Sequence, residues 1–225
     1  MDAQKKEFIE FLLQSRALRF GEVKLKSGRI SPYFVNIGVI SDGLGITMLG
    51  KKYSNHVPNN TEIIFGPSYK GISLAVSIVG ALYKFKGRNV GYAFDRKEIK
   101  NYGEATGGDL QKRVLIGSKI KDGSIITLVD DVITDGATKY ECINLLRKIA
   151  DIDINCLIVS VDRQEIDSNL EDAVFRFKKD TGISVKPIIR TEDIYYYLLE
   201  ENKNEEAERL VRYLKKYGAI DVKRL

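Results

Sequence analysis

Four groups of residues in this chain have the types and spacing to do chemistry. Asp130 and Asp131 stand side by side after a β-branched and apolar run, Ile125 to Val129. Val132, Ile133 and the polar turn Thr134-Asp135-Gly136-Ala137-Thr138 follow them. Side chains alternate along an extended backbone. One carboxylate can therefore face a ligand squarely while the other is held from behind or grips from the side, a geometry that suits a cis-diol such as the two hydroxyls of a ribose. The turn behind them offers N–H groups, two threonine hydroxyls and a helix N-terminus, which together suit a phosphate. Elsewhere, Gly66-Pro67-Ser68-Tyr69-Lys70-Gly71 is a glycine-bounded loop carrying one lysine. Arg96, Lys97 and Lys100 cluster in one polar stretch, and Arg163 stands in Asp-Arg-Gln-Glu. Each group also has a plainer reading. An Asp-Gly pair forms turns and caps, a glycine-bounded loop can be an ordinary strand-to-helix connection, a run of cations can be a solvated face, and Arg163 can pair with a nearby acid.

The elements that must position these groups can be read from periodicity. Ile125 to Val129 is apolar on both faces, as in a buried strand of a parallel sheet, and ligands bind at the carboxyl ends of such strands. Further strands are predicted at 62–66, 89–94, 155–161 and 184–190. Helices are predicted at 4–17, 41–56, 72–83, 139–150, 170–181, 191–201 and 203–217, the penultimate one capped by Thr191. Gly21 is expected to end the first helical segment. Val23 to Gly38 reads as two short strands around a Lys-Ser-Gly-Arg turn, with Pro32 confining the second to an edge. Residues 95–118, rich in cations and glycine, read as a flexible lid over a polyanion. Gly45 to Lys51 fits GxxxxGK, but Lys52 stands where a P-loop needs Ser or Thr, and the segment reads better as an amphipathic helix with Ile46, Leu49 and Tyr53 on one side.

The bulk numbers are those of an enzyme-sized α/β chain, taken as one domain over 1–225 with an N-terminal hood largely in 1–40. Hydrophobic content of 44%, charged content of 30% and a net charge of +5 suit anionic substrates and do not argue for nucleic acid. The two cysteines, Cys142 and Cys156, fall in a predicted helix and a predicted strand and read as reduced core residues of a reducing, cytoplasmic compartment. The one histidine, His56, lies in a polar loop with no partner for a relay or a metal. The N-terminus lacks the pattern of a signal peptide, and no apolar run has the length of a membrane span.

The stretch IITLVDDVITDGAT closely resembles the phosphoribosyl diphosphate motif of type I phosphoribosyltransferases. Together with LKSGRISPYFVN, GPSYKG, the RKE-x-K loop and DRQE, in that order, it resembles the orotate phosphoribosyltransferase family over nearly the whole chain. The resemblance implies an α/β type I fold with a central, mostly parallel sheet flanked by helices. It implies transfer of a 5-phosphoribosyl group from 5-phosphoribosyl 1-diphosphate to orotate, giving orotidine 5′-phosphate and diphosphate. Asp130 and Asp131 would take the ribose, and the stretch from Val132 and Ile133 through Thr134, Asp135, Gly136, Ala137 and Thr138 would take the 5′-phosphate. Lys26, Tyr69, Lys70, Arg96, Lys97, Lys100 and Tyr102 would contact the donor, with Lys97, Lys100 and Asp131 as the catalytic set. Tyr102 stands where many members have His and is neutral at pH 7. Orotate would meet Lys26, the Phe34–Val35 pair (the second member commonly aromatic in the family), Thr134 and Arg163, whose guanidinium fork suits a carboxylate. Mg²⁺ would ride on substrate and water oxygens with no side-chain ligand. The lid would reach into the neighbouring site of a homodimer. Two alternatives stay open: a transferase for another base such as a purine, and a non-catalytic regulator that keeps the motif to sense the donor.

Overall fold

A computed structural model describes residues 1–25, 27–98, 110–133, 137–167 and 169–221. Its centre is a six-stranded sheet in the order β5-β4-β3-β6-β7-β8. The strands are β3 (Ile63–Phe65), β4 (Gly91–Asp95), β5 (Leu115–Gly117), β6 (Ile125–Ile133), β7 (Asp153–Asp162) and β8 (Val185–Arg190). All pairs are parallel except β4 with β5. The fold is thus the expected α/β arrangement, a mostly parallel sheet flanked by helices.

Strand alternation distributes the core. Ile64, Val129, Cys156 and Ile158 join one cluster with residues of α1 (Ala3–Gln14), α2 (Gly43–Ser54), α3 (Lys70–Lys86), α7 (Thr191–Glu200) and α8 (Asn204–Tyr217). Ile63, Phe65, Ile126, Leu128, Leu157 and Val159 join the other, against α5 (Ala137–Ile149) and Phe177 of α6 (Ala173–Thr181). Neighbours along a strand thus face different helix layers, as the pleat requires. The chain runs from β3 outward to β4 and returns to β6 on the other side of β3, so the strand order reverses between β3 and β6. Crevices at such a reversal are where open α/β sheets take ligands.

Before the sheet, β1 (Leu18–Lys24) and β2 (Ile30–Val35) form a two-stranded antiparallel ribbon. With only two strands both are edges, so Pro32 costs no interior ladder bond. Gly21 does not terminate the first segment. It lies inside β1 at φ +133°, where the register shifts between Phe20 and Val23, a backbone state that favours glycine.

Other boundaries also differ from the sequence reading. Thr191 is the first residue of α7 rather than its cap; the Arg190 N–H is taken by the Asp193 side chain at 2.7 Å. β6 continues through both acids to Ile133 because Asp130, Val132 and Ile133 still pair with Val159, Val161 and Asp162 of β7. The end of the expected lid is regular structure: α4 (Leu110–Val114) leads into β5, which pairs with β4. Residues 99–109 lie outside the described residues. The GxxxxGK segment is helical, as expected. A Cβ on Gly50 would stand 2.4 Å from the Ser77 carbonyl oxygen, so this glycine serves the close packing of α2 on α3.

Candidate active site

The carboxyl ends of β4, β3, β6 and β7 bring most of the candidate groups to one edge of the sheet. At the end of β6 the two acids part. Asp130 shares the parity of Leu128 and turns to the α5 layer; Asp131 shares that of Val129 and turns to the α3 layer. Each meets a lysine in the first turn of the helix on its side. Lys139 Nζ stands 2.5 Å from Asp130 Oδ2, and Lys70 Nζ stands 2.8 Å from Asp131 Oδ2. The other carboxylate oxygens accept backbone N–H groups, Asp130 Oδ1 from Asp131 and Asp131 Oδ1 from Val132, both at 2.8 Å. The surroundings differ: the Lys139 and Asp130 side chains are 9% and 13% exposed, whereas Lys70 is 50% exposed. Burial pushes the Asp130 carboxyl above its ordinary value, Lys139 draws it down, and neighbouring Asp131 pushes it up.

The strand that carries the acids is also held from the α2 side. The Tyr53 hydroxyl, fully buried, donates to the Asp130 carbonyl at 2.8 Å and lies 2.5 Å from Ser160 Oγ on β7. Burial holds this phenol well above its ordinary pKa, so it stays a neutral donor.

The loop after β3 is closed by its glycines. A Cβ on Gly66 would fall 1.9 Å from the Gly71 carbonyl oxygen, and one on Gly71 would fall 2.5 Å from the Gly66 carbonyl carbon. Gly71 N–H donates to the Pro67 carbonyl at 3.0 Å, and the Ser68–Tyr69 peptide is cis. Ser68 binds the end of β4 twice: its N–H donates to Asp95 Oδ1 at 2.7 Å, and its hydroxyl donates to the Asp95 carbonyl. Tyr69 is left 74% exposed. Lys97 Nζ lies 3.5 Å from Asp95 Oδ2. Arg96 donates its N–H to the Val114 carbonyl, and its Nε is buried with no hydrogen-bond partner among the described residues.

At the end of β7, Arg163 is buried. Its Nε and Nη2 reach Glu165 Oε1 at 2.8 and 2.7 Å, Nη2 donates to Ser31 Oγ of β2 at 2.9 Å, and the guanidinium stacks 4.3 Å above the Tyr33 ring. The acid pairing considered from the sequence is therefore present. Glu165 also meets Arg29 at 3.3 Å. Ser31, Tyr33 and Val35 share the buried face of β2. Val35 is 5% exposed and packs in the core, while Phe34 is on the opposite face beneath the Arg19 guanidinium. The structure does not bring Phe34 and Val35 to one surface, because neighbours on a strand point apart.

Thr138 is exposed, and Val132 and Ile133 lie in β6. Lys26, Lys100, Tyr102, Thr134, Asp135 and Gly136 lie outside the described residues, as does the Ala137 side chain. Sequence reasoning missed Lys139, Tyr53, Asp95 and Glu165. Lys139 left a signal: a lysine in the first turn of a helix opposes the macrodipole and calls for a local anion. Asp95 left another, an acid at the end of a strand, the feature that singled out Asp130. No group of three or more His, Cys, Asp or Glu side chains that could hold a metal occurs among the described residues, and no described helix is long and apolar enough to cross a membrane.

A split acid pair thus stands beside a glycine-closed loop at the reversal point of a parallel sheet. The phosphoribosyl transferase domain family matches residues 43–185. The orotate phosphoribosyltransferase of Clostridium acetobutylicum is 35% identical, covering 97% of this chain and 99% of its own. That of Bifidobacterium longum is 39% identical over 94% of this chain and 96% of its own. The crystal structure of orotate phosphoribosyltransferase from Francisella tularensis superposes with a TM-score of 0.80 at 33% identity, covering 94% of this chain and 99% of that one. The chain belongs to the orotate phosphoribosyltransferase family of the phosphoribosyl transferase class.

Proposed function

We propose that this protein transfers the 5-phosphoribosyl group of 5-phosphoribosyl 1-diphosphate to orotate, giving orotidine 5′-phosphate and diphosphate in pyrimidine nucleotide synthesis. The observation that carries the reading is the pair of acids parted between two helix layers at the β3/β6 crevice, facing the glycine-closed loop. Asp130 and Asp131 accept the ribose hydroxyls, and the turn 134–138 takes the 5′-phosphate. Tyr69 and Lys70 contact the diphosphate, with Lys26, Arg96, Lys97, Lys100 and Tyr102 completing the polyanion's surroundings. Bond breaking at the anomeric carbon leaves an oxocarbenium-like ribose and a departing diphosphate, so the work is positioning and charge stabilisation rather than proton relay. Orotate lies against the hood near Phe34 and Thr134, with Arg163, oriented by Glu165 and Ser31, on its carboxylate side. Val35 supports this wall from the core.

A side-chain cage for a cation does not fit here, since both acids already hold lysines. Mg²⁺ fits as an ion carried by donor and water oxygens, where it neutralises phosphate charge. A homodimer suits the exposed face of α3, where Val76 and Tyr83 stand seven residues apart at 44% and 67% exposure, on one side of the helix. A cytoplasmic setting suits two buried free cysteines. Release of diphosphate from the donor on addition of orotate tests the reaction. Turnover with adenine or hypoxanthine but not with orotate refutes it.

A further inference from the structure

We propose that Lys139 is a positioning residue of the ribose grip: its ammonium, seated on the Asp130 carboxylate from the α5 side, holds that acid as an oriented anion for the donor. The inference rests on the ribose-binding reading above and adds to it a residue outside the acid pair and its turn.

The contact is short, and the two side chains are among the least exposed charged groups at the site. A lysine can usually run its stem along the surface and keep its head in water; this one does not, although the first helical turn is an unfavourable place for a cation. Asp130 has both oxygens committed, one to the Asp131 N–H and one to Lys139, so its rotamer is fixed before any ligand arrives. Without Lys139 it would be a buried acid beside a second acid, and both features favour the neutral form. Among the described residues, no other group supplies the missing charge. From α5 the Cys142 thiol faces the same space, and burial with nearby Asp95 and Asp130 pushes it up to about 12. From β6 comes Asp131. From α2 the neutral Tyr53 hydroxyl meets only the Asp130 carbonyl. From α3 Lys70 is engaged with Asp131, and at the end of β4 Lys97 is engaged with Asp95.

The test uses Lys139→Met and Lys139→Arg in the full chain, read in two ways. In the ligand-free protein, the Asp130 carboxyl is followed by ¹³C NMR and assigned by its loss in Asp130→Asn. Its midpoint rises by about 1–3 pH units in Lys139→Met and stays near wild type in Lys139→Arg. In steady-state kinetics near pH 7, KM for the donor rises about tenfold or more in Lys139→Met, one pH unit corresponding to tenfold. KM for orotate stays within about twofold, and the donor KM recovers as pH is raised through the new midpoint. An unshifted midpoint, or a raised donor KM that no pH restores, overturns the proposal. If Lys139→Met fails to fold, Lys139→Gln carries the same two readouts: a raised Asp130 midpoint with a pH-restorable rise in donor KM supports the proposal, and an unshifted midpoint overturns it. If wild type lacks orotate-dependent turnover, the functional reading fails while the NMR result still decides the pairing.

Discussion

Tyr53→Phe removes one oxygen from the centre of the molecule and tests whether the strand carrying the acids is held from behind. The ring stays, so packing in the core is conserved. What goes is the donor to the Asp130 carbonyl and the contact to Ser160 Oγ. Both partners are buried, Tyr53 and Ser160 fully, so water cannot replace the lost hydroxyl. Leaving a buried acceptor unpaired costs about 1–3 kcal/mol. Taking about 2 kcal/mol, and about 2–4 °C per kcal/mol for a chain of this size, Tm should fall by about 4–8 °C. Calorimetry reads it directly. The loss should be the same from about pH 6 to pH 9, because a phenol pushed far above its ordinary value remains a neutral donor across that range. Ser160→Ala keeps the bond to Asp130 and should cost about 1 kcal/mol. The double variant should cost less than the sum, since the Tyr53–Ser160 contact is lost only once. A Tyr53→Phe protein within about 1 °C of wild type, or strict additivity, would refute the reasoning.

Three other perturbations address the loop, the histidine and the subunits. Gly66→Ala places a methyl against the Gly71 carbonyl; we expect a loss at the upper end of the about 1–3 kcal/mol for overpacking and a raised donor KM, and an unchanged Tm would show that the loop closure matters little. Burial, then Lys86 and Lys186, hold the His56 imidazole below its ordinary 6.5, so its contribution to stability is full above that value and is lost as pH falls through the folded pKa. NMR of this sole histidine should give a midpoint below 6.5, and His56→Gln should narrow the Tm gap between neutral and mildly acid solution; a midpoint at or above the ordinary value refutes this. Mixing Asp131→Asn with Lys100→Ala should restore activity in up to about one quarter of the sites if a symmetric dimer shares its lids, and no recovery despite proven subunit exchange counts against sharing.

What could be read from the chain in advance depended on range. β6 and β7 announce themselves because their central residues are mostly apolar and buried on both faces, and α8 because its apolar positions recur at helical spacing. β5 hid in a glycine- and cation-rich stretch, since Leu115–Gly117 is too short to show a period and exists by virtue of its pairing with β4. Gly21 was misread because a glycine inside a bulged edge strand looks the same in sequence as a glycine that stops a helix. At the site, the acids, the GPSYKG lysine and Arg163 lie in local patterns that carry their chemistry with them. Lys139, Tyr53 and Glu165 act through partners fixed by tertiary packing. Tyr53 meets residues 77 and 107 positions away, and no local pattern encodes that.

Two identical neighbours in sequence thus become unequal groups in the fold. The pleat sends the two buried acids to opposite helix layers, Asp130 to a lysine shielded from water and Asp131 to one half open to it. Lys70, half open to water, can turn from Asp131 toward a diphosphate arriving beside the loop more freely than the shielded Lys139 can leave Asp130. That exchange would release the Asp131 carboxylate for a ribose hydroxyl at the moment the lysine finds its phosphate. The Asp130–Lys139 pair is shielded on both sides of its contact. On this argument the donor's two ends are coupled through Lys70, while Asp130 and Lys139 form the fixed half of the grip against which that exchange takes place.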